Sequence, residues 1–428
     1  MTAGHKRTIL VLAYSISPIR GSEYAVGWNY VTHMAKRHKL IVLYGLAGDH
    51  MGDANEIVDY RGDLAGDTEF VFVPPNRTAR ALNKLNVSGV FPFSFYLAYR
   101  VWHRSAARKA ADILASHPVD VIHYLCPIGY REPGYLWNLG KPYIWGPVGG
   151  MNMRPLRPFA FYGLATMAKT AGRNAANWLQ FRLTPRLRRA IRGSDVLIAN
   201  TSENAGLIER VHGRRPLLMP ENAITAVTDT PKPARTGPLA LIWVGRIDAA
   251  KALEILIVAL AKLVDASWTL EIVGDGPRAG PARELADKLG LSGRLNWAGV
   301  LPRSTVQDRF AAADIHVLTS LAEAHSTVLW EAMSLGVPTI AFDHCGMHDS
   351  ICDACGVRVP LGDFAQMAEN VADAIRPYTE DPARVATLSA GARHCAAAND
   401  WSARADRWDA LYDRAINDHR ARQTRNKS

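Results

Sequence analysis

Short apolar runs alternate with longer amphipathic stretches along almost the whole chain. The runs are rich in β-branched residues and predict buried strands, and the stretches between them predict helices. The predicted strands of the first half are residues 8–14, 39–45, 69–73, 119–125, 142–145 and 195–200. The predicted strands of the second half are residues 239–244, 268–273, 295–298, 314–318 and 338–342. Continuous apolar strands between helices are typical of parallel sheets covered on both faces.

Two successive series of strands and helices predict an α/β protein with two doubly wound, Rossmann-like sheets. Residues 228–238, TDTPKPARTGP, are rich in proline, threonine and glycine, as linkers are. We therefore expect a first domain over residues 1–220, a linker over 221–237 and a second domain over 238–400. Residues 401–428 predict an amphipathic helix and a basic tail. The apolar stripe of that helix consists of Trp401, Trp408, Leu411, Tyr412 and Ile416.

The composition is that of a globular protein. Of the 428 residues, 48% are hydrophobic and 21% are charged, which excludes a disordered chain. The formal net charge of +10 is uneven, because residues 1–220 carry +14 and residues 221–428 carry −4. This asymmetry predicts two domains with different partners.

The amino terminus carries two basic residues and a short apolar run without a small-residue cleavage site. This pattern predicts a first strand and not a signal peptide. No uncharged apolar run reaches the roughly 20 residues of a membrane helix. We therefore expect a cytoplasmic protein that is soluble or bound peripherally at the inner face of the membrane.

The five cysteines do not predict a disulfide framework. Cys352 and Cys355 form a Cys-x-x-Cys motif, and Cys345 lies upstream. A structural zinc site needs further ligands, and no second pair completes the set. We therefore expect no metal site.

The segment EAHSTVLWEAMSLGVPTIA, residues 323–341, combines two carboxylates with a predicted helix start. Ser326 and Thr327 are suitable N-cap residues. Glu323 precedes them, and Glu331 follows one turn into the helix. A helix N-terminus binds anions, and carboxylates accept hydrogen bonds from sugar hydroxyls. The spacing predicts a nucleoside-diphosphate sugar, with its hexose near Glu323, its diphosphate at the helix start and its ribose near Glu331. Two glutamates without a ligand are the alternative.

Two cations follow the predicted strand at residues 239–244. Arg246 comes directly after Gly245, and Lys251 lies at the start of the next helix. Cations at the carboxyl end of a strand in an open α/β sheet form a clamp for phosphate. The alternative for Lys251 is a solvated helix residue. The turn IVGDGP adds Gly274, whose missing side chain lets a ligand approach the backbone closely.

The first strand of the chain continues into SISPIRGSEYAVGW. Gly21 and Ser22 open a helix there that contains Glu23. The backbone N–H groups of this turn could contact the diphosphate from the other side of a cleft. A tight turn without a ligand is the alternative.

A second group of polar residues lies around the predicted strand at residues 119–125. His123 lies within this apolar strand, and Arg131 and Glu132 follow it. The next strand leads into WGPVGG, residues 145–150, a loop through which a substrate can reach the backbone. A buried core histidine and a catalytic histidine are both open for His123.

Three motifs of the second half, VGRIDAAK, IVGDGP and Glu-x7-Glu followed by AMSLGVPTIA, resemble the donor domain of retaining glycosyltransferases of family 4. The motifs RGSEYAVGW, IHYLCPIGYREPGYLW and WGPVGG resemble a branch of that family with a Gly-Ser-Glu loop and a Trp-Gly-Pro-Val-Gly-Gly loop. The resemblance covers about residues 8–416. It implies the GT-B fold, in which two Rossmann-like domains face each other across the active site and the last helix crosses back to the first domain.

The resemblance also implies roles for individual residues. Arg246 and Lys251 would bind the diphosphate, Glu323 would contact the transferred sugar, and Glu331 would contact the ribose. Many members carry His-x-His at the end of the strand that holds His123, and the second histidine is the proposed catalytic one. This chain has Leu125 at that position.

We therefore expect a retaining glycosyltransferase that moves a hexose from a UDP- or GDP-linked sugar to an acceptor hydroxyl, in cell-envelope or exopolysaccharide synthesis. No Asp-x-Asp motif occurs, which favours a reaction without metal or other cofactor. The expected catalytic residues are Glu323, His123, Arg246 and Lys251. The expected donor-binding residues are Gly21, Ser22, Arg246, Lys251, Gly274, Glu323, Ser326, Thr327 and Glu331. A nucleotide-sugar epimerase and a non-catalytic sugar-nucleotide or polysaccharide binding protein are the alternatives.

Residues 76–110 and 154–192 contain sixteen basic residues and no acidic one. Aromatic residues are interspersed among them, in VFPFSFYLAYRVW, FAFYGL and NWLQF. Such a surface suits an anionic membrane and a saccharide acceptor that is lipid-linked. A solvated face over core helices is the alternative. No recognition motif indicates nucleic acid.

Overall fold

The computed structural model describes residues 6–20, 23–45, 57, 64, 67–91, 94–225, 227 and 237–425. Contacts divide the chain into two units. The first comprises Met1–Met151, Trp178–Glu221 and Trp401–Ser428, and the second comprises Asn152–Asn177 and Asn222–Asp400. Each unit is built on a parallel sheet with helices packed against it. The predicted α/β class with two Rossmann-like sheets is confirmed.

The described strands of the first unit are β1 (Thr8–Ala13), β2 (Lys39–Tyr44), β3 (Thr68–Phe72), β4 (Val121–Cys126), β5 (Tyr143–Val148), β6 (Val196–Ala199) and β7 (Leu217–Leu218). They pair in parallel in the order β3-β2-β1-β4-β5-β6-β7. Every residue of β4 and β5 is buried, as expected for strands covered on both faces. The first six strands lie where the apolar runs predict them.

The described helices that precede the second sheet in the chain are α1 (Glu23–Met34), α2 (Arg77–Val87), α3 (Ser94–Ser116), α4 (Leu164–Leu183), α5 (Pro185–Gly193) and α6 (Ser202–His212). The core of the first unit lies between its strands and helices that include α3 and α5, and Tyr14, Trp102 and Tyr124 are among its fully buried members.

The described strands of the second unit are β8 (Leu239–Val244), β9 (Trp268–Val273), β10 (Leu295–Gly299), β11 (Ile315–Leu318), β12 (Thr339–Phe342) and β13 (Gly356–Val359). They pair in parallel in the order β10-β9-β8-β11-β12-β13. The strand order therefore reverses between β8 and β11. Ligands of open α/β sheets bind beyond the carboxyl ends of the strands at such a reversal.

The described helices of the second part of the chain are α7 (Leu253–Ala261), α8 (Ala279–Lys288), α9 (Arg303–Ala312), α10 (Thr327–Ser334), α11 (Cys345–Ser350), α12 (Phe364–Glu380), α13 (Ala383–Ala397) and α14 (Trp401–Arg425). The largest core cluster of the second unit lies between α7, α12 and the sheet. Short 3₁₀ helices occupy Leu136–Asn138, Arg157–Tyr162 and Ser292–Arg294.

The last described helix, α14, belongs to the first unit, as predicted. Its buried face carries Trp401, Trp408 and Tyr412, and the Tyr412 hydroxyl contacts that of Tyr30 on α1. Arg37 binds acidic residues of α14 at 2.6 and 2.7 Å. The predicted apolar stripe therefore docks the helix onto the first sheet unit.

Residues 152–177 are in the second unit, whereas the predicted first domain over residues 1–220 includes them. Their aromatic side chains explain this packing. Phe161 stacks on Phe364 of α12 with ring centroids 3.7 Å apart, and the Tyr162 hydroxyl donates to Glu254 of α7 at 3.0 Å. The polypeptide therefore passes from the first unit to the second and back within the stretch that separates β5 from β6.

In the described part of the chain, no helix combines the length and the apolar character that crossing a membrane requires.

Candidate functional site

The loop after β8 is held in a fixed conformation beyond the carboxyl end of the strand. The Asp248 carboxylate accepts hydrogen bonds from the N–H groups of Ala250 and Lys251 at 2.9 and 3.0 Å. Ala252 has a φ of +48°, in the left-handed region that residues other than glycine rarely adopt. The Thr319 hydroxyl donates to the Lys251 carbonyl at 2.8 Å. These bonds fix the loop against the segment that follows β11.

Lys251 and Glu323 form an ion pair at this edge of the second sheet. The Ser320 hydroxyl donates to the same carboxylate oxygen, Oε2, at 3.1 Å. The side chains of Lys251 and Glu323 retain about a fifth of their exposure, 22% and 18%. Two residues that the sequence predicts for different parts of one ligand therefore contact each other directly, although 72 positions separate them.

Arg246 lies on the same loop and extends into solvent. Its side chain is 73% exposed, and its Nε lies 3.8 Å from Asp248 Oδ2. A guanidinium with this exposure can turn towards a phosphate without breaking a strong interaction. The structure therefore brings Arg246, Lys251 and Glu323 to one edge of the sheet, as the sequence predicts.

Helix α10 begins at Thr327 with Ser326 as its N-cap residue. The backbone of Ser326 is extended, as in an ordinary cap, but its side chain makes no capping hydrogen bond. Its hydroxyl is buried and has no hydrogen-bond partner among the described residues. A buried hydroxyl beside the free N–H groups of a helix N-terminus is suited to an anion.

Glu331 lies one turn inside α10 and binds Arg303 of α9 at 2.8 Å. Burial raises the pKa of the Glu331 carboxyl, and the positive charge of Arg303 opposes this rise. The exposed fraction of the Glu331 side chain is 20%, so a polar ligand at the helix start can reach it. Arg303 and Ser320 were not identified from the sequence, because neither belongs to a recognisable motif.

Gly274 has a structural reason to be glycine. Its φ is +134°, and a Cβ atom there would lie 1.8 Å from the Gly245 carbonyl oxygen. At Gly276 an added Cβ would lie 2.3 Å from the Ile247 oxygen. Both glycines therefore let the loop after β9 pack against the loop after β8. The predicted contact of Gly274 with a donor stays a prediction.

Arg154 belongs to the basic stretch over residues 154–192 and is a third cation near the loop after β8, because it interacts with Asp248. It belongs to the second unit and is half-buried. Burial lowers the pKa of its guanidinium, and the negative charge of Asp248 opposes this effect. Arg154 is therefore part of the surroundings of the loop after β8 and is not a member of a solvated basic face.

His123 is completely buried in the middle of β4, and both of its ring nitrogens have partners. Nδ1 lies 3.2 Å from the Tyr30 hydroxyl and 3.3 Å from that of Tyr412, and Nε2 donates to the Gly146 carbonyl at 3.0 Å. Burial lowers the pKa of the imidazole to about 4. These contacts fit the alternative of a buried core histidine, and the catalytic role for His123 stays a prediction.

Gly21 and Ser22, two of the predicted donor-binding residues, lie outside the described residues. Their neighbour Glu23 is the first residue of α1. Burial raises the pKa of the Glu23 carboxyl to about 7, the negative charge of Glu221 adds to the rise, and a hydrogen bond from the Ile128 N–H opposes it. The start of α1 therefore carries a carboxyl group whose pKa lies near neutrality.

Glu132 is also buried, and it binds two arginines of the basic stretches. Arg186 on α5 contacts Glu132 Oε1, and Arg100 Nε lies 3.4 Å from Oε2. Burial and the positive charges of Arg100 and Arg104 lower the pKa of Arg186 to about 10. Arg186 is therefore a structural cation of the first unit and not a freely solvated one.

The loop over residues 145–150 is packed against its own unit. An added Cβ at Gly146 would lie 2.4 Å from the Ile198 oxygen, and one at Gly149 would lie 2.4 Å from the Asn200 side chain. The Gly149 N–H donates to the Ile128 carbonyl at 2.7 Å. These glycines allow close packing of strands and loops within the first unit.

The surface of the first unit combines exposed apolar residues with arginines. Val90 is 75% exposed and Leu183 is 65% exposed. Other exposed apolar residues of the first unit are Leu85, Val87, Phe91, Tyr96, Leu97, Trp178 and Leu179. The Arg131 guanidinium lies over the Tyr96 ring at 5.6 Å and donates to Gln180 on α4 at 3.0 Å. The two basic stretches therefore meet at Arg131.

Residues 228–392 match the family model of the glycosyl transferases group 1. The matched segment contains the residues that the second unit gathers around its reversal point, namely Arg246, Lys251, Glu323, Ser326 and Glu331. The second unit thus contains a segment that is similar to the glycosyl transferases group 1.

Among individual proteins, the chain is 32% identical over 257 residues to D-inositol 3-phosphate glycosyltransferase 1 of Catenulispora acidiphila. The match covers 54% of this chain and 60% of that protein. The chain therefore spans about three fifths of the length of this relative.

Two solved structures share the fold over nearly their whole length. A glycosyltransferase from Rickettsia africae has a TM-score of 0.64 at 15% identity and covers 96% of this chain and 99% of its own. The HepE protein of Anabaena, solved in complex with UDP and glucose, has a TM-score of 0.60 at 17% identity and covers 95% and 99%. The two parallel sheets are thus those of the GT-B fold.

Proposed function

We propose that this protein transfers a hexose from a nucleoside-diphosphate sugar to an acceptor hydroxyl. The observation that carries the proposal is the Lys251–Glu323 ion pair at the carboxyl edge of the second sheet. The Ser326 hydroxyl, which has no partner among the described residues, lies in the same loop region, and the segment that matches the family model contains all three residues. The Lys251 ammonium would bind one phosphate, the Glu323 carboxylate would bind a sugar hydroxyl, and the N-terminus of α10 would bind the second phosphate.

The ion pair suits a donor that carries both charge and hydroxyl groups. The Lys251 ammonium has three donor hydrogens, so it can hold Glu323 and a phosphate oxygen at the same time. Within the described residues, both contacts of Glu323 use Oε2. Its Oε1 is therefore left to accept a hydrogen bond from a sugar hydroxyl.

Breaking the bond between sugar and phosphate builds negative charge on the nucleoside diphosphate. Arg246, Lys251 and the N-terminus of α10 would stabilise this charge. Each charge-assisted hydrogen bond contributes roughly 1.5–3 kcal/mol. We propose that these groups suffice without a metal ion, and that Glu331 holds the ribose.

We propose that the reaction retains the configuration of the sugar. The acceptor hydroxyl would attack the face that the diphosphate leaves, and the departing phosphate oxygen would take the acceptor proton. Glu323 is a poor covalent nucleophile in this arrangement, because its Oε2 is neutralised by Lys251 and hydrogen-bonded to Ser320.

Binding and turnover measurements test the donor site. Calorimetry with UDP and with GDP identifies the base, and a panel of donor sugars with and without EDTA follows. Lys251→Ala and Arg246→Ala should each weaken nucleotide binding about 10- to 100-fold. Lys262→Ala is the matched control, because Lys262 forms a surface pair with Glu369 at 2.6 Å.

The donor-site proposal fails if both alanine variants bind the nucleotide as the wild type does. A strong loss of activity with EDTA that Mg²⁺ or Mn²⁺ restores and Zn²⁺ does not would overturn metal independence alone. A protein that binds the nucleotide normally but turns over no donor with any acceptor would be a binding protein instead.

We further propose that the first unit binds an anionic membrane and that the acceptor is lipid-linked, in cell-envelope or exopolysaccharide synthesis. Three features support this proposal: exposed apolar side chains, exposed arginines, and the junction of the two basic stretches at Arg131. Apolar residues would enter the headgroup layer, and each basic residue near the surface would add about 1 kcal/mol.

Vesicle co-sedimentation tests the membrane surface. Binding should rise with the anionic lipid fraction and fall in high salt. It should also fall when Arg188, Arg189 and Arg192 are changed together to serine. Arg186 is left unchanged, because it pairs with buried Glu132. Equal binding to neutral and anionic vesicles at low salt would contradict the proposal.

The matched control changes three arginines on another helix. Arg407, Arg414 and Arg420 are exposed on α14, and their joint replacement by serine removes the same charge. This control variant should bind anionic vesicles about as well as the wild type. A loss equal to that of the α5 variant would show that net charge alone attracts the membrane.

A further inference from the structure

Three cysteines of the second unit lie close together. In the sequence, all three follow the residues of the proposed donor site. Cys352 and Cys355 lie in the turn between α11 and β13, and Cys395 lies on α13. The Cys352 Sγ is 3.3 Å from that of Cys355 and 3.4 Å from that of Cys395. All three sulfur atoms lie within 4.8 Å of one another. In the sequence, Cys345 is the cysteine nearest to the Cys-x-x-Cys motif, whereas the fold supplies Cys395, 43 positions beyond Cys352.

Glycines bring the turn and the helix together. A Cβ atom at Gly391 would lie 1.8 Å from the Ala354 carbonyl oxygen. Gly391 and Cys395 are four residues apart and therefore share one face of α13. Glycine inside a helix is destabilising relative to alanine. Its presence lets the backbone of the turn approach α13 closely enough for Cys395 to meet the other two thiols.

The turn itself is folded tightly around its sulfur atoms. The Cys352 N–H donates to the Cys355 Sγ at 3.1 Å, and the Cys355 and Gly356 N–H groups donate to the Cys352 carbonyl at 2.9 and 3.1 Å. An added Cβ at Gly356 would lie 2.3 Å from the Thr339 oxygen. The turn is therefore fixed against β12 on one side and against α13 on the other.

We propose that Cys352, Cys355 and Cys395 bind one zinc ion. Thiolates bound to tetrahedral zinc at about 2.3 Å are about 3.8 Å apart, so the three sulfur atoms need only small shifts. Thiolates prefer zinc and other soft ions to magnesium or calcium. On binding, each of the three thiols loses its proton to solvent.

The fourth position of the ion is open to solvent. Among the described residues, no other cysteine, histidine or carboxylate joins the three sulfur atoms. Cys352 is exposed, whereas Cys355 is buried, so water can reach one side of the site. The zinc ion would tie the turn to α13, which packs against α10. Its expected effect is to stabilise the second unit, independently of the proposed sugar transfer.

Cobalt is the spectroscopic probe for the zinc site. The untagged full chain is stripped of metal under reducing conditions and titrated with Co²⁺. One equivalent should bind and produce thiolate-to-cobalt charge-transfer absorption, which Zn²⁺ then abolishes. Zinc should also raise the thermal unfolding midpoint.

Two variants each remove one zinc ligand. A third variant keeps all three thiols but changes their spacing, and a fourth removes a cysteine outside the cluster. Cys352→Ser and Cys395→Ser should lose the cobalt absorption and the zinc-dependent rise of the midpoint. Gly391→Ala keeps all three thiols but moves the turn away from α13, so it should bind cobalt at least tenfold more weakly. Cys345→Ser is the control and should bind one equivalent, because Cys345 does not join the cluster.

Two results would overturn the proposal. One is reduced wild-type protein that binds no stoichiometric Co²⁺ with thiolate character. The other is a Cys395→Ser variant that binds cobalt as the wild type does.

Discussion

At the carboxyl edge of the second sheet, Lys251 and Glu323 remain partly exposed and contact each other. In the first sheet, His123 is completely buried, and both of its nitrogens are occupied. The difference lies in where each residue stands relative to its strand. Lys251 and Glu323 follow β8 and β11 in loops, whereas His123 occupies the middle of β4. Polar residues beyond a strand are available to a ligand, whereas those within a doubly covered strand belong to the core.

The largest expected effect separates the sugar contact from the nucleotide contact. Glu323→Gln should lower kcat at least 100-fold, because the carboxylate that would bind the sugar and balance Lys251 loses its charge. Binding of UDP or GDP should change less than about threefold or become tighter, because Lys251 is then free for phosphate. Steady-state kinetics and calorimetry on the same preparation measure both. Parallel losses of kcat and nucleotide affinity would contradict the assigned position of Glu323.

The opposite behaviour is expected at His123. His123→Ala should lower the free energy of unfolding by about 2–4 kcal/mol, because it leaves a cavity and removes partners from Tyr30, Tyr412 and the Gly146 carbonyl. The kcat of the folded fraction should stay within about threefold of the wild type. Thermal unfolding and an activity assay well below the midpoint check this. A large loss of kcat with little loss of stability would support a catalytic role for His123.

Glu23, at the start of α1 in the first unit, should make the stability of the protein depend on pH. Its folded pKa of about 7 lies above the ordinary value of 4.5. Between these values the folded protein holds a proton that the unfolded chain has lost, so this group's stabilising contribution falls as pH rises. Glu23→Gln should therefore stabilise the protein relative to wild type at pH 8, by at most about 3 kcal/mol, and have little effect at pH 4. Thermal midpoints at the two pH values provide the measurement, and equal effects at both would contradict it.

The smallest effect is expected at Ser326. Ser326→Ala should leave the thermal midpoint unchanged, because the hydroxyl has no partner among the described residues. It should weaken nucleotide binding up to about tenfold, the cost of one hydrogen bond. Ser334→Ala is the matched control, because that hydroxyl donates to the Glu331 carbonyl at 2.8 Å at the other end of α10. A destabilised Ser326→Ala with normal nucleotide binding would make Ser326 an ordinary cap.

Most of the strand framework could be predicted from the sequence, because buried parallel strands are continuous apolar runs. Two strands could not. β7 has two residues, and β13 reads GVRV, in which Arg358 interrupts the apolar pattern. Residues 152–177 were assigned by their place in the chain, whereas Phe161 and Tyr162 pack against α12 and α7.

The candidate site was predictable in its members but not in its contacts. Arg246, Lys251, Glu323 and Ser326 were identified from motifs and from their positions after strands. The ion pair of Lys251 with Glu323 required the fold, because pairing across 72 positions leaves no local pattern. Cys395 was missed for the same reason. His123 was ambiguous, because the sequence does not show that the hydroxyls of Tyr30 and Tyr412 lie beside it.

The position of α14 in the first unit has a consequence for how the chain folds during synthesis. Residues 401–425 leave the ribosome after all the strands of both sheets. Until then, the surface around Tyr30 and His123 that α14 covers stays open, whereas the residues of the second unit are already complete. The second unit can therefore fold first. The first unit keeps apolar surface exposed until α14 has been synthesised, although most of its residues are made earlier. In the cell, this interval is when the nascent protein most needs a chaperone.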